Sequence, residues 1–143
     1  MIGDGRLTLR NAKPGIDLLI LDIFSSDSVP LHMLTREAFA LYKARLSPHG
    51  AIAFNISNSN MELAEVVAAA AAANGMVTAV KLDHQPPAHS LRLKAEIAVV
   101  TRSVADMRAL RLGAGWHSAN PNARAWSDDY SDMLSAIITK LRQ

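Results

Sequence analysis

The stretch Ile16–His32, IDLLILDIFSSDSVPLH, decides how the chain is read. Leu18-Leu19-Ile20-Leu21 is a continuous apolar run that ends on Asp22, and a polar loop carrying a second carboxylate, Asp27, follows it. A short apolar run bounded by turn residues reads as a strand covered on both faces, the pattern of a parallel sheet. In open α/β sheets ligands sit in the crevice beyond the carboxyl ends of the strands, which is where Asp22 falls. A carboxylate withdrawn from water there needs a cation or hydrogen-bond donors to offset its lost solvation. Asp22 therefore has two readings, a capping or turn residue and a site residue.

Working outward, composition bounds the answer. The 143 residues suffice for one ordinary core, and half of them are apolar and a fifth charged, as in globular proteins. The formal net charge is only +2, and Arg6, Arg10, Lys13, Arg36, Lys43 and Arg45 are scattered, so no nucleic-acid footprint is expected. There is no cysteine, which excludes disulfides and thiol chemistry and fits a reducing compartment. No apolar run approaches the roughly 20 residues that span a bilayer. The opening MIGDGRLTLR lacks a signal-peptide core, so a cytoplasmic chain without membrane contact is expected.

Taken in order, Ile2-Gly3-Asp4-Gly5 reads as the tail of a strand and a tight turn, because glycine permits close backbone approach. A helical turn over Arg6–Asn11 is stopped by Lys13-Pro14-Gly15, and the strand Ile16–Ile23 follows. Thr35 is the expected N-cap of a helix carrying Phe39, Leu41, Tyr42 and Leu46 to the sheet, closed by Ser47-Pro48-His49-Gly50. Ala51–Ile56 is a second strand, and Ser59 with Glu62 has capping-box spacing before an Ala-rich helix, Met61–Ala73. The smallness of that helix implies close packing on the sheet. Met76–Leu82 and Ala95–Thr101 read as the third and fourth strands, joined by a Pro-containing loop too short for a comfortable crossover helix, so they pair antiparallel. A short helix near Val104–Leu112 and an irregular stretch lead to a last helix. Ser127 is its expected N-cap, Asp128 and Asp129 its first turn, and Tyr130, Leu134, Ile137, Ile138 and Leu141 its apolar face.

Strands alternating with helices, then an antiparallel pair, predict an α/β fold: part of an S-adenosylmethionine-methyltransferase-like Rossmann sheet. About four strands are expected, the last antiparallel, with helices on both faces. The segment GDGRLTLRNAKPGIDLLILDIFSSDSVPLHMLTREAF resembles the central portion of the spermidine synthase family, the polyamine aminopropyltransferases. The variant DIFSSDSVP with a following His and LTREAF is similar to spermidine-synthase-like proteins often fused to membrane transporter segments. AFNISN and WSDDYSDML agree with that resemblance, which covers nearly the whole chain.

The resemblance implies roles. Gly3-Asp4-Gly5 matches the turn whose carboxylate, here Asp4, binds the adenine amino group of decarboxylated S-adenosylmethionine. Asp22 matches the carboxylate that helps deprotonate the attacking amine, and Asp27 the one that holds a substrate ammonium. His32 would line the same crevice. The chemistry suits those roles, because the nucleophile must be a neutral amine while a diamine is mostly protonated near pH 7. A desolvated carboxylate at hydrogen-bond range can take the proton, and a second can anchor the distal cation.

Departures from the family pattern are equally informative. Four residues, Ile23-Phe24-Ser25-Ser26, separate Asp22 from Asp27, where the family usually has two. The glycine-rich loop that cradles the methionine portion and the acidic residue for the ribose would lie before Gly3, and the 143 residues contain no GxGxxG. The expectation is therefore one truncated domain over residues 1–143, the C-terminal half of such an enzyme, with an incomplete site for decarboxylated S-adenosylmethionine or S-adenosylmethionine. The alternative is a non-catalytic oligomerising remnant. In either case the strand from Ile16 lacks a neighbour and becomes an apolar edge, which a homodimer would cover.

Other residues carry weaker expectations. Asn55 and Asn58 follow the second strand and could face the crevice or cap a helix. Trp116 and Trp126 are expected to anchor the irregular tail. Asp83, His84 and His89 match no metal-ligand spacing, and no metal is expected.

Overall fold

The computed structural model describes residues 5–22, 30–58, 61–83 and 95–141. The chain forms α1 (Gly5–Arg10), β1 (Ile16–Asp22), a 3-10 turn (Leu31–Met33), α2 (Arg36–Arg45) and β2 (Leu46–Asn55). Then come α3 (Ala64–Ala72), β3 (Val77–Asp83), β4 (Ala95–Thr101), α4 (Val104–Ala109), the two-residue β5 (His117–Ser118) and α5 (Met133–Leu141). The sheet order is β1-β2-β4-β3-β5, with β1 and β2 parallel and β4 inserted antiparallel between β2 and β3. This is the α/β arrangement expected, a parallel portion closed by an antiparallel strand. The fifth strand is the addition.

Alternation decides the two faces. Leu19 and Leu21 of β1 stand beside Ile52 and Phe54 of β2, and Val100 and Ala98 of β4 continue that row. These residues meet α2 and α3. Phe39 stacks on Phe54 at 5.2 Å between ring centroids, and Tyr42 closes the trio at 5.6 and 6.1 Å. Val67, Ala70 and Ala71 of α3 are fully buried, as their small size predicts for a helix pressed against a sheet. α4 lies beside β4 and β3 but buries none of its residues, and Leu18 and Ile20 of β1 stay 58% and 67% exposed.

Three helix boundaries differ from the sequence reading. Thr35 does cap α2, its side chain accepting from Ala38 N–H, but Ser47-Pro48-His49-Gly50 is not a terminating turn. It is an excursion within β2, between the pairs Ile16↔Leu46 and Leu18↔Ala51. Arg102, just after β4, donates to the carbonyls of Lys43, Leu46 and Ser47, and so satisfies the C-terminal end of α2. α3 starts at Ala64 and not at Met61, with Ala64 N–H donating to the Glu62 side chain; Ser59, the other half of the expected capping box, lies outside the described residues. The last helix starts at Met133, with Asp132 accepting from Ser135 N–H. Ser127 and Tyr130 pair across a turn, so Asp128 and Asp129 are loop residues and not its first turn. The apolar side of α5 is also more open than its pattern implies: Ala136 is buried, whereas Leu134 and Leu141 are exposed. Trp126 is 2% exposed and anchors the tail as expected.

Candidate functional site

The carboxyl edge of β1 and β2 brings together the first group of polar residues. Asp22 and Asn55 end adjacent parallel strands in register, so their side chains emerge on the same face. Asn55 Nδ2 donates to Asp22 Oδ1 at 3.0 Å. The Asn55 carbonyl oxygen accepts from Ser57 N–H and Ser57 Oγ–H, at 3.1 and 2.6 Å, and Glu96 N–H donates to Ser57 Oγ at 2.9 Å. A continuous hydrogen-bonded chain thus runs from the Asp22 carboxylate across three strands' ends. It fixes the Asn55 amide with its NH₂ toward Oδ1 of Asp22, an exposed residue. Asn58 has a different task, accepting from Met61 N–H at 2.8 Å in a turn.

A second group gathers around Arg6. Its guanidinium makes a bidentate pair with Asp128, both bonds 2.7 Å, and also donates to the His32 carbonyl at 3.0 Å. Thr35 Oγ1 donates to Asp128 Oδ1 at 2.8 Å, and Asp128 N–H donates to Glu37 at 3.1 Å. The paired guanidinium holds the Asp128 carboxyl below the usual carboxylate range, with the Thr35 hydrogen bond adding to it. These residues rim an open cleft of about 600 Å³, which Pro30, His32, Asp129, Tyr130 and Ser131 also line. Because α2 leads from the end of β1 back to the start of parallel β2, its first residues lie at the same carboxyl edge as Asp22.

A third group is buried. Glu96 of β4 is 6% exposed, and Glu62 lies close enough to repel it. Burial first, and then the Glu62 charge, push the Glu96 carboxyl up to about 7, against the attraction of Lys140. Lys140 Nζ of α5 stands 3.7 Å from Glu62, and Glu62 N–H donates to the Ala136 carbonyl at 3.0 Å. The C-terminal helix is thereby tied to the segment that enters α3.

Of the residues singled out from sequence, Asp22 and His32 lie at the carboxyl end of the sheet, on separate hydrogen-bonded groups. Gly5 is exposed at the start of α1, while Gly3, Asp4 and Asp27 fall outside the described residues. Two features escaped the sequence reading: the Arg6–Asp128 pair, whose members are 122 positions apart, and the burial of Glu96. The only sequence signal for the pair was the WSDDYSDML segment, and nothing there named its partner. Among the described residues no group of three or more His, Asp or Glu is placed to hold a metal ion. His84 and His89 lie outside those residues. No helix among them is long and apolar enough to cross a membrane.

No protein-family profile and no curated protein matches the chain. Solved structures do. A probable spermidine synthase from Corynebacterium glutamicum is similar over 92% of this chain and 54% of its own, at 20% identity and a TM-score of 0.58. MnmC2 from Aquifex aeolicus is similar over 99% of this chain and 43% of its own, at 18% identity and a TM-score of 0.52. The chain thus has the fold of a part of a spermidine synthase, a partial methyltransferase-like Rossmann sheet, and spans about half the length of these structures.

Proposed function

We propose that these residues form the C-terminal half of a spermidine-synthase-type transferase domain, a single unit over residues 1–143, acting on a polyamine in the cytoplasm. The observation that carries the reading is the Asp22–Asn55 pair at the carboxyl ends of two parallel strands. Asn55 donates to Oδ1 and so steers the carboxylate, which leaves Oδ2 to receive a proton from an amine. In the proposed step the amine nitrogen attacks the methylene carbon beside the sulfonium of decarboxylated S-adenosylmethionine. The N–C bond forms, the C–S bond breaks with its pair going to sulfur, methylthioadenosine leaves, and the ammonium proton passes to Asp22. A sulfonium beside carboxylates is electrostatically favoured. Gly3, Asp4 and Gly5 are the proposed adenine contacts, and Asp27 and His32 the proposed amine contacts. With no glycine-rich loop in the 143 residues, that co-substrate site is incomplete within them.

A second reading has an observation of its own. Among the described residues β1 is an edge strand, and Leu18 and Ile20 on it are exposed, the arrangement expected if the unit works by associating with another copy and has lost nucleotide binding. Calorimetry with decarboxylated S-adenosylmethionine, S-adenosylmethionine and methylthioadenosine separates the two. Binding of any of them supports the transferase reading, and silence with all three supports the oligomerising one. Where turnover is found, Asp22→Asn is expected to lower its rate by about 10²–10⁴, the usual loss on removing a general base. Wild-type turnover in that variant would remove Asp22 from the mechanism.

A further inference from the structure

The cleft rim carries a device that the proposed chemistry does not account for. The Asp128 carboxylate accepts three hydrogen bonds from two distant parts of the chain: two from Arg6 on α1 and one from Thr35 at the start of α2. The geometry is fully committed. Thr35 has one hydroxyl proton, which goes to Asp128, and its oxygen accepts from Ala38 N–H at the head of α2. Arg6 in turn uses the nitrogen that binds Asp128 Oδ1 to hold the His32 carbonyl as well. Two further bonds tie the head of α2 to the Asp128 loop, Arg36 N–H to the Trp126 carbonyl at 2.8 Å and Asp128 N–H to the Glu37 carboxylate at 3.1 Å.

Global stability does not explain this arrangement. The Arg6 and Asp128 side chains are 21% and 44% exposed, and ion pairs so open to water contribute little to folding. What a bidentate, cross-braced pair supplies is position. The position fixed is that of Pro30–Thr35, the segment that carries His32.

We propose that Asp128 is a positioning residue: through Arg6 and Thr35 it sets where the His32-bearing segment stands relative to Asp22. Its consequence for amine binding rests on the functional reading above, whereas the positioning itself does not. The test uses the 143-residue chain and compares Asp128→Asn, Thr35→Val and Thr35→Ser with wild type. Asparagine keeps the shape of Asp128 but replaces one acceptor by a donor, so it must give up a bond to Arg6 or to Thr35. Serine keeps the hydroxyl and serves as the conservative rescue.

Backbone amide resonances report position, and titration with spermidine or putrescine reports binding. Asp128→Asn and Thr35→Val are expected to move the resonances of residues 31–35 and leave those of Ala51–Asn55 in place. They should weaken diamine binding about tenfold, the scale of one hydrogen bond lost or misaligned. Thr35→Ser should restore both. Unmoved resonances at 31–35 would overturn the proposal, and so would changes spread over the whole spectrum, which mark a merely structural role. If wild type binds no diamine, the functional reading fails while the resonances still decide the positioning. If wild type binds and Asp128→Asn binds equally well despite moved resonances, the segment's position does not matter to the amine and the proposal falls.

Discussion

Glu96 has the strongest reason of any described residue to avoid its charge. It is buried, it faces the Glu62 charge, and its carboxyl is pushed up to about 7. In the unfolded chain the same group titrates in the ordinary glutamate range, so between there and about 7 the folded state holds the extra proton. Stability due to this group is therefore complete at low pH and declines as pH rises through that window. Glu96→Gln removes the group, and its melting temperature is expected to fall less than that of wild type between pH 5 and pH 7, measured by thermal unfolding followed by circular dichroism. Equal slopes would show that Glu96 finds a compensating cation in solution. None of this was legible in AEIAVVT, which announces a strand but not which neighbour its one acid meets. Asp22 was different. Its place at the end of an apolar run is a local property, and local properties survive in sequence.

At the scale of elements, Gly50 shows how tightly β1 rides on β2. A Cβ added there would lie 2.6 Å from the Ile16 carbonyl oxygen on β1, a backbone atom that moves only if the strands part, and 3.1 Å from Ser47 N within β2's own excursion. Gly50→Ala is accordingly expected to cost about 1–3 kcal/mol, as overpacking does. A lowered urea midpoint with an unchanged slope would show it. Gly113, with nothing within 4 Å of its would-be Cβ, provides a control expected to stay within about 0.5 kcal/mol of wild type. The same excursion explains why Ser47-Pro48-His49-Gly50 read as a terminating turn: its residues have turn chemistry, but Arg102 from 55 positions away closes α2 instead. The misplaced start of α5 has the same origin. Ser127-Asp128-Asp129 has the composition of a helix start, and Arg6 and Thr35 claim Asp128 for another purpose. Capping patterns state what a residue can do, while tertiary partners decide what it does.

For the whole molecule, the order β1-β2-β4-β3-β5 leaves β1 with one neighbour among the described residues, and the covering on both faces that its apolar run suggested is not met, since one face stays open at Leu18 and Ile20. With Leu18 and Ile20 exposed on it, the 143-residue chain is expected to sediment as a dimer at tens of micromolar. Ile20→Lys, which places a charge on that face, should shift it to monomer with little change in its far-ultraviolet spectrum. A wild-type monomer under those conditions would mean that the edge is not a self-association surface. The fold class was legible because alternation of strands and helices is a repeated local signal, and the fold likeness to half of a spermidine synthase agrees with it. The cleft at the carboxyl edge was only half legible. Asp22, Asn55 and His32 were in view, but the braces that hold the rim come from both extremes of the chain.

The place of β4 has an outcome for the order of assembly. Synthesis delivers β3 before β4, yet among the described strands β3 pairs only with later ones, because its inner neighbour is β4 and its outer one β5. Until Ala95–Thr101 leaves the ribosome, β3 waits unpaired and the sheet ends at β2. Sheet completion is therefore a late, non-local event, slower than the helices it draws together.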